Sequence, residues 1–208
     1  MIYRRRLNTL VSFDESYFIG GAESNYINYN DKRYEALALD IKEVARINKS
    51  DTVLDYGCAT GILVKEMQKY CTCLGTDISL WAIERGLDNK VPGLYYYDKG
   101  LLNLESISCV IFLDVLEHCS NIELRDLFSR IYKNKSIKRL VVRIPVCKEN
   151  FGYYILECSR KDKTHIQRLT KQSWRNFFNL WEWNRIIPIS KNNIYDTEGV
   201  IAWKLERD

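Results

Sequence analysis

Apolar residues recur along this chain in two rhythms, and the order in which the rhythms alternate predicts the fold. From Asp31, Tyr34, Leu37, Ile41 and Val44 recur at spacings of three and four, so they share one face of an amphipathic helix ending near Asn48. The run TVLDYG (52–57) follows as a short buried strand. A helix through ILVKEMQKY (62–70), a strand CTCLGTD (71–77), a helix LWAIERGL (80–87) and a strand LYYYD (94–98) come next. The strand CVIFLD (109–114), the helix IELRDLFSRIYK (122–133) and the strand RLVVRIPV (139–146) continue the series. Strands alternating with helices predict a doubly wound α/β domain, a parallel sheet with helices on both faces.

The tail breaks that rhythm. After the polar stretch ECSRKDKTHIQRL (157–169) comes a helix KQSWRNFFNLW, then two strand-like runs, NRIIPIS and VIAWKLE, joined by the turn-rich KNNIYDTEG. This reads as a hairpin, so one antiparallel strand is expected to end an otherwise parallel sheet. Trp174, Phe177, Phe178 and Trp181 form a stripe at helical spacing and are expected to be core. The first 30 residues read as irregular, which divides the chain into an N-terminal arm or lid over 1–30 and a single domain over 31–208.

Composition narrows the class without naming the chemistry. The chain has 208 residues, 46% hydrophobic and 28% charged, the balance of one soluble globular domain. No apolar run approaches the length of a membrane span and the start has no signal-peptide core, so a cytoplasmic protein is expected. Seven scattered cysteines without a CxxC pair read as reduced thiols. A net charge of +4 is too small to argue a nucleic-acid footprint, although Arg4, Arg5 and Arg6 form a basic knot.

The candidate chemistry sits at strand ends. In open α/β sheets ligands bind beyond the carboxyl ends of the strands. VLDYGCATG (53–61) lies there, directly after the first strand, with Gly57 and Gly61 in a G-x-x-x-G spacing that lets the backbone approach a ligand. This is neither the dinucleotide fingerprint nor a phosphate loop, which would carry a lysine. Asp55 therefore suits a ligand with a positive or neutral group. Asp77 ends the second strand in GTDIS, about 20 residues downstream, where a carboxylate can accept both hydroxyls of a ribose. Asp98 ends the third, where it can accept an adenine amino group. One acidic strand end is commonplace, because aspartate is a turn former. Three in register beside a glycine loop are a stronger signal.

This constellation resembles the class I S-adenosylmethionine-dependent methyltransferases over about residues 31 to 207, carried by VLDYGCATG, GTDIS, Asp98 and FLDVLEH at the fourth strand. The resemblance implies a Rossmann-like, doubly wound, seven-stranded sheet of order 3-2-1-4-5-7-6 with strand 7 antiparallel. It implies S-adenosylmethionine as cofactor and S-adenosylhomocysteine as product. Gly57, Cys58, Ala59 and Gly61 would wrap the methionine part, with Asp55 near its ammonium. Asp77 would hold the ribose, Ile78 and Asp98 would flank the adenine, and Leu113, Asp114 and the residues to Leu116 would form the pocket floor. Ala59 stands where many members carry a third glycine.

DVLEHCSN lacks the loops of adenine-amino and cytosine-C5 methyltransferases and looks like the small-molecule O-methyltransferase branch, so the expected acceptor is a hydroxyl of a small molecule or glycan. Such an acceptor needs a base, and histidine has the suitable pKa. His118 and His165 are the chain's two histidines and both fall at the ligand edge, so His118, Glu117 and His165 are the catalytic candidates. Asp114, Glu117, His118 and His165 would also serve as divalent-metal ligands. D-x-x-E-H with a distant histidine resembles the pattern of small-RNA 2′-O-methyltransferases, although those carry glutamate where Asp114 stands. The reading adopted from sequence is a metal-free site with His118 as base. Tyr17, Phe18, Tyr26 and Tyr29 are expected to shield the reacting centre from water. The competing readings are an RNA methyltransferase and a non-catalytic, cofactor-binding partner subunit.

Overall fold

The computed structural model describes residues 13–20 and 31–207. The arginine knot at 4–6 and the tyrosines at 26 and 29 lie outside the described residues. A seven-stranded sheet of order β3-β2-β1-β4-β5-β7-β6 organises the domain. Its strands are β1 (Thr52–Tyr56), β2 (Thr72–Asp77), β3 (Leu94–Tyr96), β4 (Ile107–Leu113), β5 (Arg139–Pro145), β6 (Arg185–Pro188) and β7 (Val200–Glu206). β1 pairs in parallel with β2 and β4, and β4 with β5. β7 runs antiparallel to both β5 and β6. The antiparallel strand thus ends the chain and slots inside the sheet, leaving β6 at the edge, in the order the family resemblance implies.

The helices are α1 (Glu15–Phe18), α2 (Asp31–Ala45), α3 (Ile62–Met67), α4 (Leu80–Asp88), α5 (Asn121–Lys133), α6 (Glu157–Lys161) and α7 (Lys171–Leu180). α2 stops short of Asn48 because Arg46 turns into the left-handed region at φ 53° and the Ile47 amide bonds back to the Lys42 carbonyl at 2.8 Å. α5 starts on a reciprocal cap, the Ser120 hydroxyl taking the Glu123 amide and the Glu123 carboxylate taking the Ser120 amide. α4 is capped by the Ser79 hydroxyl.

Period-two alternation along the strands divides the core into two faces. Val110 and Phe112 of β4 face Leu127 and Phe128 of α5, with Trp174 and Phe178 of α7 in the same cluster. Cys109 and Ile111 face the other way, with Leu37 and Ile41 of α2 and Leu63 and Val64 of α3. Trp174 and Phe178 are fully buried, with Phe177 and Trp181 packed against that core, so the aromatic stripe is structural. All seven cysteines are free thiols. Among the described residues no helix is long and apolar enough to cross a membrane.

Candidate active site

A cavity of about 510 Å³ opens at the carboxyl ends of β1, β2, β4 and β5, within the range of small-molecule sites. It has two halves. One is lined by Asp55, Gly57, Cys58, Ala59, Asp77 and Ile78, the other by Glu117, His118, His165 and Arg143, with Leu113 and Asp114 between them.

The first half is a turn held over a strand end. The amides of Gly57 and Cys58 both donate to the Thr76 carbonyl, at 2.8 and 3.1 Å, which folds the loop after β1 across β2. Gly57 has φ +83°, and a Cβ there would lie 2.4 Å from a Val115 methyl carbon. Only glycine fits both constraints. Ala59, at φ 48°, is held by its amide, which donates to the Asp77 carboxylate at 2.8 Å. The other Asp77 oxygen takes the Ser79 amide at 2.7 Å. Asp77 therefore builds the loop as well as facing the cavity. Gly61 stands behind the site as the residue capping α3, at φ 75°.

Asp55 is 4% exposed. Burial, and then the Asp77 charge, raise its pKa to about 7. Asp98 is exposed and does not line the cavity, and its carboxylate takes the Gly100 amide at 2.7 Å to cap the turn 99–103. Its neighbours Tyr97 and Lys99 line the cavity instead.

The second half depends on a long-range docking event. The amides of Ile166 and Gln167 both donate to the Glu117 carbonyl at 2.9 Å, which lays the stretch after β5 against the turn Leu116–His118. The rings of His118 and His165 are thereby brought to a centroid distance of 4.7 Å. Ligand atoms of Glu117, His118 and His165 all lie within 4.8 Å of one another. Glu117 is fully buried, and neither carboxylate oxygen has a hydrogen-bond partner among the described residues.

The tautomers can be read from the partners. His165 Nδ1 lies 3.0 Å from the Ser159 carbonyl, an acceptor only, so Nδ1 carries the proton and Nε2 the lone pair. His118 Nδ1 lies 2.7 Å from the Thr164 hydroxyl, which itself donates to Asp162 at 2.6 Å. His165 Nε2 is 3.9 Å from Glu117 and 3.7 Å from Asp162, too far for hydrogen bonds. Burial, then the neighbouring His165, lowers the His118 pKa to about 4, and burial lowers that of His165. Burial, then Asp114, raises that of Glu117. Burial thus disfavours the charged forms of all three side chains.

Asp114 sits between the halves at φ 55°. Its carboxylate is bound by Arg143 of β5, with Nε 3.0 Å from each oxygen and Nη2 closing the fork. It therefore does not join the glutamate and the histidines. Residues 13–18 lie over both halves. Phe13 packs edge-on against His118 at 5.5 Å, Tyr17 donates to Asp162 at 3.2 Å, and Phe18 stacks on Trp81 at 5.3 Å beside Ala59. Sequence reasoning missed Arg143, Asp162 and Thr164.

A family model described as a methyltransferase domain matches residues 29–180. No curated protein matches the sequence at a significant level. Among solved structures the chain is similar to an S-adenosylmethionine-dependent methyltransferase from Archaeoglobus fulgidus, at 15% identity and a TM-score of 0.65, covering 88% of this chain and 100% of that one. It is similar to the methyltransferase domain of a bacterial Hen1 protein (15% identity, TM-score 0.58, 86% and 100% covered). It also resembles the magnesium protoporphyrin IX methyltransferase of Synechocystis PCC 6803, solved with bound S-adenosylhomocysteine (18% identity, TM-score 0.55, 86% and 83% covered).

Proposed function

Because the chain belongs to the methyltransferase-domain family, we propose that it moves the methyl group of S-adenosylmethionine onto a hydroxyl of a small molecule or glycan, at a site where Glu117, His118 and His165 hold a divalent cation. The observation that carries the cation is that ring nitrogens of two imidazoles and an unpartnered, fully buried carboxyl group lie within 4.8 Å of one another. Protonation removes the charge of Glu117 but gives it no hydrogen bond to His165, because 3.9 Å is too long for one. Two imidazoles and a carboxylate suit a borderline first-row divalent ion. His165 gives its other ring nitrogen to the Ser159 carbonyl, as metal-binding histidines do.

In the cofactor half, Gly57, Cys58 and Ala59 wrap the methionine part, Asp55 meets the ammonium, and Asp77 accepts from the ribose. Ile78 and Tyr97 flank the adenine, with Leu113 on the floor. Transfer from a sulfonium is an in-line displacement, so the chain's main task is to hold donor and acceptor in line. A bound divalent ion supplies Lewis-acid polarisation of the acceptor hydroxyl, easing loss of its proton. Phe13, Tyr17 and Phe18 exclude water from both halves.

A neutral acceptor is supported by charge pairing. Of the three cations lining the cavity, Lys99 pairs with Asp126 at 3.1 Å and Arg143 with Asp114, and Arg33 is the third. The RNA reading rests on the rim after β5, where Phe151 and Tyr153 are 82% and 78% exposed near Arg168, an aromatic and basic combination that stacks bases. Incubation with labelled S-adenosylmethionine and either a metabolite extract or single-stranded RNA decides between them. Label is expected in a methyl ether of a small molecule or glycan, and label only in RNA overturns that acceptor class.

The Asp55 carboxyl predicts proton-linked binding. Its pKa near 7 means that much of the ligand-free protein carries a proton there at neutrality. A cationic amino group favours the carboxylate, so cofactor binding should expel that proton below about pH 7 and affinity should rise with pH up to that point. Calorimetry with S-adenosylhomocysteine in two buffers of different ionisation enthalpy should show the release, and Asp55→Asn should abolish it.

A further inference from the structure

Asp162, at the edge of the cavity, and Thr164, behind His118, have no part in the proposed reaction, yet both are buried there, at 9% and 4% exposure. The Thr164 hydroxyl has one proton to give, and its neighbours are Asp162 Oδ1 at 2.6 Å, His118 Nδ1 at 2.7 Å and the Tyr17 hydroxyl. The same Asp162 oxygen also takes the Thr164 amide at 2.9 Å, so it already acts as the acceptor at this turn. A carboxylate outcompetes a neutral imidazole for a hydroxyl proton. The hydroxyl proton then belongs to Asp162, and the Thr164 oxygen can meet His118 Nδ1 only as an acceptor. The remaining Asp162 oxygen takes the Tyr17 hydroxyl. Burial raises the Tyr17 pKa, which keeps that group a donor. Tyr17 and Phe13 close the arrangement from above.

We propose that Asp162 and Thr164 are positioning residues: the relay from Asp162 through the Thr164 hydroxyl fixes the His118 proton on Nδ1 and turns the Nε2 lone pair into the cavity. The proposal rests on the function above in that the lone pair is what either a cation or an acceptor proton would use. It assigns to two residues of a featureless polar stretch the task of choosing the tautomer of a residue 46 positions away. A threonine hydroxyl suits this because it donates and accepts at once. Valine has the same shape and can do neither.

The test uses the full chain labelled with ¹⁵N-histidine, treated with chelator, at pH 7.5. Its two imidazoles give a spectrum that a His165→Gln protein assigns. His118 should show the Nδ1–H pattern in the unmodified protein and in Thr164→Ser. In Thr164→Val it should shift toward Nε2–H, with Mn²⁺ affinity reduced roughly 10–100-fold, as for other groups that orient a metal-binding histidine. An Nε2–H signal for His118 in the unmodified protein overturns the relay even if the valine protein fails to fold. So does a folded Thr164→Val protein with an unchanged tautomer. If the unmodified chain shows Nδ1–H but binds no Mn²⁺, the relay stands and it is the cation reading that fails.

Discussion

Chelation should abolish methyl transfer by this protein, and Mn²⁺ or Co²⁺ added back should restore it, with cofactor affinity unchanged throughout. The expectation follows from geometry that a base alone does not explain. A lone general base needs one lone pair aimed at the acceptor, whereas here two imidazoles and a carboxylate aim at the same space, all within 4.8 Å. If they share an ion, then His118→Ala, His165→Ala and Glu117→Ala should each remove most of the activity and most of the Mn²⁺ binding. If His118 acts alone, His118→Ala should lower turnover by roughly 10²–10⁴-fold, His165→Ala should do far less, and chelator should do nothing. Activity that survives chelator sinks the cation. The pH profile adds a second check. A free histidine base would give a rise near its ordinary pKa, but burial has drawn His118 to about 4. A His118 base would thus already be neutral across the usual range and give a flat profile there.

What could be read in the sequence was what depends on local rhythm and on strand ends. β1, β2, β4 and β5 announce themselves as apolar runs, and the residues at their carboxyl ends fall at one sheet edge whatever their side chains do. That logic found Asp55, Gly57, Asp77 and Leu113, which line the cavity. It also picked out Asp98, because a carboxylate that caps a turn and one that meets a ligand occupy the same place in the chain. The meeting of His118 and His165 was less legible. It depends on Ile166 and Gln167 docking on the Glu117 carbonyl, a backbone contact that leaves no pattern in side chains. Asp162 and Thr164 belong to the same docked stretch and share its anonymity. Arg143 did leave a signal, a charge inside the apolar run RLVVRIPV, which in a buried strand requires a partner. That partner is Asp114.

Asp77→Ala should weaken binding of S-adenosylhomocysteine by about 1–3 kcal/mol, roughly 5–150-fold in Kd, and Asp98→Ala should leave it nearly unchanged. The two aspartates end neighbouring strands and look alike in sequence, but their carboxylates do different work. Asp77 takes the amides of Ala59 and Ser79 and lines the cavity. Its removal takes away the ribose acceptor and also frees the Ala59 amide, so the turn from Gly57 to Gly61 loses the bond that holds a non-glycine residue at φ 48°. Asp77→Asn separates these effects: its amide oxygen can still accept one backbone bond, but the charge that draws hydroxyls is gone, so its loss should fall between alanine and none. Asp98 spends its carboxylate on Gly100 at the surface, where water can replace it. Calorimetry on the three variants gives the ranking directly. Equal losses for Asp77→Ala and Asp98→Ala would return the adenine role to Asp98, and wild-type affinity in Asp77→Ala would remove Asp77 from the cofactor site.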